Sequence, residues 1–206
     1  MPFLTRFRAA LGLRECRDLA ALYAITFGGF VAFGVYLPTH LVAVYGLETG
    51  DAALRAAGFI VLATLARPVG GAISDAVGGG RVTAAALAVT AVGAIAAAFE
   101  LPLPAATVAF LSMAAALGVG NGSIFALVGT RIPSERVGSV TGVVGAAGGL
   151  GGFLPPLVMG AVREATGDFA IGLMLLSNVA LAGLVYTWWR YLSPDARARE
   201  SSRVTA

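Results

Sequence analysis

Apolar residues dominate six stretches of this 206-residue chain, and short polar connections separate one stretch from the next. Each stretch is long enough to cross a hydrocarbon core of about 30 Å as a helix, which takes about 20 residues. Because the connections are short, neighbouring helices are expected to run antiparallel. The pattern predicts an all-α membrane protein with transmembrane helices at about residues 19–42, 53–77, 82–100, 104–128, 137–162 and 169–191.

The remaining polar sequence lies mainly at the two ends, which divides the chain into three parts. Residues 1–18 are an N-terminal segment, residues 19–191 the membrane domain, and residues 192–206 a polar tail that is expected to be disordered. Eleven arginines lie at the termini and after the second and fourth predicted helices, against two on the opposite side. This asymmetry predicts cytoplasmic termini in a multi-pass protein of the cell membrane. The early arginines also argue against a cleavable signal peptide.

Composition excludes several classes of protein. Only 12% of the residues are charged, which is about half the fraction of a soluble domain. Cys16 and His40 are the only residues of their types, so neither a disulfide framework nor a metal site is expected. A net charge of +3 spread over the loops does not indicate nucleic-acid binding. No hydrolytic or redox machinery is visible, and no phosphate-binding loop with a lysine occurs. We therefore expect neither an enzyme nor a bound cofactor nor an ATP-driven pump.

One arginine lies inside a predicted helix. Arg67 precedes Asp75, at the cytoplasmic end of the second helix, by eight residues, or about 12 Å, and half a hydrocarbon core is about 15 Å. A charge near the midplane faces a bundle interior or a wet cavity, whereas an arginine near a helix end would extend to the interface. Every acidic residue falls at a helix end or in a loop, so an internal counter-charge is not expected. A guanidinium prefers a planar oxyanion, so the cargo is the simplest source of negative charge.

A few other residues at membrane depth are candidates for contact with such an anion. Asn121 and Ser123 lie among glycines of the fourth helix, where they could equally form hydrogen bonds between helices. Tyr23 and Phe27 are spaced for one face of the first helix, where packing and ligand binding remain alternatives. His40 is expected to be a loop or interfacial residue at the outer end of that helix.

The fifth predicted helix is interrupted by glycines and carries no charge between residues 138 and 156. Glycines four residues apart lie roughly on one face of a helix, as do Gly138 and Gly142, Gly145 and Gly149, and Gly148 and Gly152. Such a face either lets another helix approach closely or lines a path for a small molecule. The pattern alone leaves both interpretations open.

Together these patterns resemble a known family. The connection with Gly71, Asp75, Gly78 and Arg81 is similar to the G-x-x-x-D-x-x-G-x-x-R loop of the major facilitator superfamily. The runs GVGNGSIF at 118–125 and GVVGAAGGLGG at 142–152 resemble the signature of its nitrate/nitrite porter family. The resemblance covers essentially the whole chain, as the C-terminal six-helix half of such a porter.

This resemblance implies roles for specific residues. Arg67 matches the anion-binding arginine of that half, and Tyr23 and Phe27 match the aromatic pair that helps to enclose the anion. Asn121 and Ser123 are further candidates for the substrate site. The signature glycines beside the pathway would be Gly118, Gly120, Gly122, Gly142, Gly145, Gly148 and Gly149, and the gating loop would contain Gly71, Asp75 and Arg81.

A full porter of this family has twelve helices, two signatures and two binding arginines. The six helices are therefore expected to act with a second half, supplied by a separate chain or by a second copy in a homodimer, unless the product is a truncated fragment. The predicted function is passage of nitrate or nitrite across the membrane by alternating access. The absence of a midplane acid favours exchange over proton symport. Alternatives are transport of another small oxyanion or organic anion, or a non-transporting assembly subunit.

Overall fold

The computed structural model describes residues 3–194, all of whose regular structure is helical. A short helix precedes six helices that are long and apolar enough to cross a membrane. The helices are α1 (Phe3–Gly12), α2 (Arg14–Tyr45), α3 (Thr49–Val77), α4 (Gly79–Ala98), α5 (Leu103–Arg131), α6 (Ser134–Thr166) and α7 (Ala170–Thr187), which continues as a π-helical turn at Trp188–Leu192. The six predicted spans are confirmed. Most helix ends extend beyond the predicted apolar cores. The predicted disorder of the tail concerns mainly residues 195–206, which lie outside the described part of the chain.

The six long helices form one bundle with α2 and α5 in its middle. Helix α2 packs mainly on α6, and α3 packs mainly on α5. Behind them, α4 packs on α5 and on α7. Two buried clusters of apolar side chains fill the interior, one around Phe33, Phe59 and Phe110 and the other around Leu19, Leu87 and Ile124.

Small residues let the paired backbones approach closely. A methyl group on Gly122 of α5 would collide with the carbonyl oxygen of Arg67 on α3, and one on Gly70 would collide with the backbone of Val119. Likewise, a methyl group on Gly151 of α6 would collide with the backbone of Ala24 on α2. Backbone contact of this kind is available only to glycine, and it holds α3 and α6 against the two central helices.

A single residue connects α3 to α4. Gly78 has a φ of 93°, a conformation that side chains with a Cβ rarely adopt. The two glycines that follow have a different role, since a Cβ on Gly79 would overlap Leu127 and one on Gly80 would overlap Tyr191. The glycine run of this connection thus combines a tight turn with close packing.

An ionic cluster joins the beginning of α2 to the end of α7. Arg190, in the π-helical turn, forms salt bridges with Glu15 at 2.8 Å and Asp18 at 2.5 Å. The hydroxyl of Tyr186 donates a further hydrogen bond of 2.7 Å to Asp18. Asp18 is buried, so its charge depends on these partners for compensation. From the sequence, Arg190 was interpreted only as one of the basic residues near the C-terminus that indicate the orientation of the chain.

Candidate functional site

Arg67 lies ten residues before the end of α3 at Val77, which is about 15 Å along the helix axis. Its Nε atom is buried and has no hydrogen-bond partner. Among the described residues, no carboxylate forms an ion pair with its guanidinium. Arg67 as a whole is partly exposed, and the donors of a guanidinium without a counter-charge need an anion or water as acceptors.

Two aromatic rings of α2, rather than a carboxylate, lie against this guanidinium. Its Cζ atom lies 5.3 Å from the ring centroid of Phe27 and 5.2 Å from that of Phe30. The two ring centroids are 5.7 Å apart with planes inclined at 48°, so Arg67 lies against both rings. Ring faces attract a cation by about 0.5–2 kcal/mol and leave its N–H groups free to bind an anion.

Tyr23 extends the aromatic cluster towards α5 and α6. Its ring stacks on Phe27 at 5.4 Å and meets the edge of Phe125 at 4.8 Å. The ring is buried, and a methyl group on Gly148 of α6 would collide with it. The predicted aromatic pair therefore lies beside Arg67, together with two residues that sequence reasoning assigned no role in the site. Phe30 could have been found from its i+3 spacing after Phe27, and Phe125 from its i+4 spacing after Asn121.

Asn121 and Ser123 are buried but point to different helices. The hydroxyl of Thr26 on α2 donates a 2.8 Å hydrogen bond to Oδ1 of Asn121, whose Nδ2 has no partner in the described structure. Ser123 is bonded to Thr83 of α4 at 2.7 Å and to the carbonyl of Gly120 at 2.8 Å. Asn121 thus retains a free donor one helical turn from Phe125, whereas Ser123 has its partners within the bundle. Thr26 was missed because no local pattern connects it to Asn121, 95 residues away.

The signature glycines fall into two groups. Gly118, Gly122 and Gly148 lie against other helices, and Gly120 contacts Ala86 and Thr26. The second group has no described atom within 4 Å of an added Cβ and comprises Gly142, Gly145 and Gly149 of α6; the same holds for Gly138, earlier on this helix. One glycine-rich helix therefore has a packed face towards α2 and a separate open stripe. Close packing accounts for the first group, and a path for a small molecule stays a prediction for the second.

Asp75 and Arg81 of the predicted gating loop flank the turn at Gly78, whereas Gly71 lies within α3, one helical turn after Arg67. Gly71 has no neighbour within 4 Å of an added Cβ, and Asp75 is exposed. Arg81 is exposed on the first turn of α4, where its guanidinium reaches back to the carbonyl of Val77 at 3.4 Å. Asp75 and Arg81 therefore lie at the end of α3, away from the aromatic cluster.

The expected loop position of His40 is wrong. His40 lies within α2 and is only 2% exposed. Its ring is surrounded edge-on by Tyr45, Phe110 and Phe169 at 5.0–5.8 Å. The helix continues past Pro38 to Tyr45, because the preceding turn loses only one backbone hydrogen bond to the proline. Among the described residues, no group of three His, Cys, Asp or Glu side chains could hold a metal ion.

Six helices that are long and apolar enough to cross a membrane, one with an arginine within its span, indicate a multi-pass membrane protein. Residues 19–205 match the sequence model of the Major Facilitator Superfamily, and the chain belongs to that superfamily. As predicted, it is a multi-pass protein of the cell membrane.

Its relatives by sequence identify a branch of this superfamily. The chain is 50% identical over 188 residues to the "Probable nitrate/nitrite transporter NarK2" of Mycobacterium tuberculosis (strain CDC 1551 / Oshkosh), covering 90% of the chain and 48% of that protein. It is 44% identical over 173 residues to the "Nitrite extrusion protein" of Bacillus subtilis (strain 168), covering 84% and 44%. The predicted relationship to nitrate/nitrite porters is confirmed, and the chain spans about half the length of these relatives.

Solved structures agree on the fold. The superfamily transporter FucP in its outward conformation superposes with a TM-score of 0.74 at 19% identity, covering 90% of this chain and 45% of that one. The peptide transporter POT in complex with sulfate superposes with a TM-score of 0.77 at 18% identity, covering 92% and 43%. In each case one six-helix bundle matches a little under half of the solved chain.

Proposed function

We propose that this bundle forms one half of a pathway that carries nitrate or nitrite across the membrane. Arg67 binds the anion, Tyr23 and Phe27 enclose it, and Asn121 contributes a further donor. The anion moves when this half rocks against a second six-helix bundle, which opens the site to each side of the membrane in turn. Both termini of this half lie on the cytoplasmic side, as the arginine distribution predicts.

The observation that supports this proposal most strongly is the chemistry around Arg67. Its Nε atom is buried without an acceptor, and its guanidinium lies against two rings rather than a carboxylate. A structural arginine inside a membrane would be paired with an acid or with backbone carbonyls. A substrate-binding arginine keeps its hydrogen-bond donors free in the absence of the anion. Nitrate and nitrite are planar oxyanions that fit two parallel N–H groups.

A second bundle explains the open stripe on α6. A Cβ added at Gly138, Gly142, Gly145 or Gly149 would meet no described atom within 4 Å, and these glycines repeat at helical spacing. Such a stripe suits close approach by a helix of the opposite half or the wall of a narrow path. The second bundle would come from a separate chain or from a second copy of this one. A second copy would bring two Arg67 charges to one axis, where they would repel until an anion binds.

Exchange of nitrate for nitrite is the mode of transport that we favour over proton symport. A proton-coupled site needs a titratable acid or histidine close to the substrate. No carboxylate pairs with Arg67 in the described part of the chain, and His40 is enclosed among other rings. Another small oxyanion would meet the same donors, so competition by such anions has to be measured. A purely structural assembly role would leave the free guanidinium without an explanation.

Uptake of labelled nitrate into vesicles that contain the complete transporter tests this proposal. Lysine at position 67 keeps the charge but loses the two-pronged geometry, so Arg67→Lys is expected to lower uptake at least about tenfold. Arg55→Lys is the matched control, because Arg55 is exposed and paired only with Asp51 at 3.0 Å. Normal uptake by Arg67→Lys would refute the assignment of Arg67. Equal inhibition of the wild type by formate, sulfate and nitrate would refute selectivity for nitrate.

A further inference from the structure

An apolar groove of about 340 Å³ runs along the outside of the bundle between α6 and α7, with α2 as its floor. Leu154 and Val158 form one wall and Leu175 and Val179 the other, and all four are between 41% and 59% exposed. Gly29 of α2 lies at the floor. The groove is separate from Arg67 and its aromatic cluster.

Glycines and prolines explain why this space is not filled by protein. Gly29, Gly151 and Gly172 line the groove and contribute no side chain to it. Pro155 also lines the groove, and with Pro156 it interrupts the backbone hydrogen bonding of α6 in this region. The groove extends on α6 at least from Gly151 to Met159, eight residues or about 12 Å along the helix. A narrow, elongated, apolar shape at membrane depth fits a hydrocarbon chain.

A positive charge lies just beyond one end of the groove. Arg163 follows Met159 by one helical turn, and Phe169 precedes Gly172 by three residues. The Cζ atom of Arg163 lies 4.4 Å from the ring centroid of Phe169, so the pair bridges α6 and α7 at this end. The hydroxyl of Tyr36 lies close by, where it donates a hydrogen bond of 2.5 Å to the carbonyl of Met159.

Arg163 has no carboxylate partner in the described part of the chain. Asp168 is engaged elsewhere, because its Oδ1 atom accepts a 2.7 Å hydrogen bond from the backbone N–H of Ala170. Glu164 is exposed and points about 100° away from Arg163 around α6. The guanidinium is therefore available to an anionic group located at the membrane boundary.

From these features we infer that the groove binds one phospholipid of the surrounding bilayer. An acyl chain lies along Leu154, Val158 and Val179, and the lipid phosphate binds the guanidinium of Arg163. A guanidinium binds phosphate oxygens through charge-assisted hydrogen bonds, so Arg163 at the end of the groove suits a lipid phosphate. The bound chain supplies apolar contacts between α6 and α7 that protein side chains do not make. This inference is independent of which anion the protein transports.

Native mass spectrometry of the complete transporter tests this inference, after exchange into detergent with phosphatidylglycerol or phosphatidylcholine added. The wild type is expected to retain one phosphatidylglycerol molecule. Val158→Trp places an indole in the groove and should abolish this retention, and Val179→Phe on the opposite wall should do the same. Val185→Trp is the matched control, because Val185 is exposed on α7 and does not line the groove.

Removing the charge tests the head group separately. Arg163→Gln is expected to lower retention of phosphatidylglycerol about tenfold, which corresponds to the loss of one charge-assisted contact. Loss of lipid from Val185→Trp to the same extent as from Val158→Trp would overturn the groove as the binding site. Unchanged retention by Arg163→Gln would overturn the assigned phosphate contact. A wild-type protein without any retained phospholipid, for instance because a second bundle covers the groove, would overturn the inference as a whole.

Discussion

Gly122 offers a sharp test of how close packing positions the anion site. A Cβ added at Gly122 would lie 2.8 Å from the carbonyl carbon of Arg67 and nearer still to its oxygen, whereas ordinary contacts begin at 3.4 Å. Gly122→Ala therefore forces α3 and α5 apart by at least 0.6 Å at this point, the difference between those two distances. The atoms that must move belong to the backbone of Arg67, so a rotamer change cannot relieve the collision. Because the backbone of Arg67 must move, we expect its guanidinium to shift away from the ring of Phe27 in this variant.

The expected size of the effect follows from overpacking, which typically costs about 1–3 kcal/mol. Gly129→Ala is the matched control, because Gly129 lies on the same helix with nothing within 4 Å. Both variants gain the same helix propensity from alanine, so the difference between them isolates the packing cost. We expect Gly122→Ala to be less stable than Gly129→Ala by about 1–3 kcal/mol and to bind nitrate more weakly.

Reversible unfolding in mixed micelles measures the free energy of unfolding, and nitrate titration of the folded protein measures the affinity. Equal stabilities and equal nitrate affinities for the two variants would refute the argument. That result would mean that α3 and α5 separate freely at this contact, and that the position of Arg67 does not depend on it.

Two further comparisons test the helix contacts. Gly151→Ala inserts a methyl group against the backbone of α2, whereas Gly145→Ala lies on the open stripe of the same helix. Both variants gain the same helix propensity, so Gly151→Ala should be less stable than Gly145→Ala by about 1–3 kcal/mol. Equal stabilities in micelle unfolding would contradict the division of α6 into two faces. Asp18→Asn breaks a buried ion pair and should lower the free energy of unfolding by about 3–5 kcal/mol. Asp51→Asn breaks an exposed pair on α3 and should lower it by about 0.3–0.5 kcal/mol. Similar losses for the two variants would show that the buried cluster adds little stability.

The outline of the fold follows from the sequence, because a bilayer requires about 20 apolar residues for each span. Arg67 could be singled out for a related reason, since a charge inside a span is costly and no acid in the same helix region offsets it. The spacing of Tyr23 and Phe27 likewise placed their two rings on one face, and the rings do stack.

Contacts between distant segments could not be predicted from local pattern. The pairs Asp18 with Arg190 and Thr26 with Asn121 join residues 172 and 95 positions apart. Periodicity also cannot tell which of two glycine faces meets a neighbouring helix, so Gly148 and Gly149 looked equivalent although only Gly148 is packed. His40 lies near the outer end of the first predicted helix, and no local pattern could show that Tyr45, Phe110 and Phe169 surround it.

Direct binding of nitrate to the purified complete transporter tests the central claim that Arg67 holds the anion. Calorimetric titration would compare the wild type, Arg67→Lys and the exposed control Arg55→Lys under identical salt conditions. We expect Arg67→Lys to weaken nitrate binding about tenfold or more, while Arg55→Lys binds like the wild type. Wild-type affinity in Arg67→Lys would contradict the assignment of Arg67.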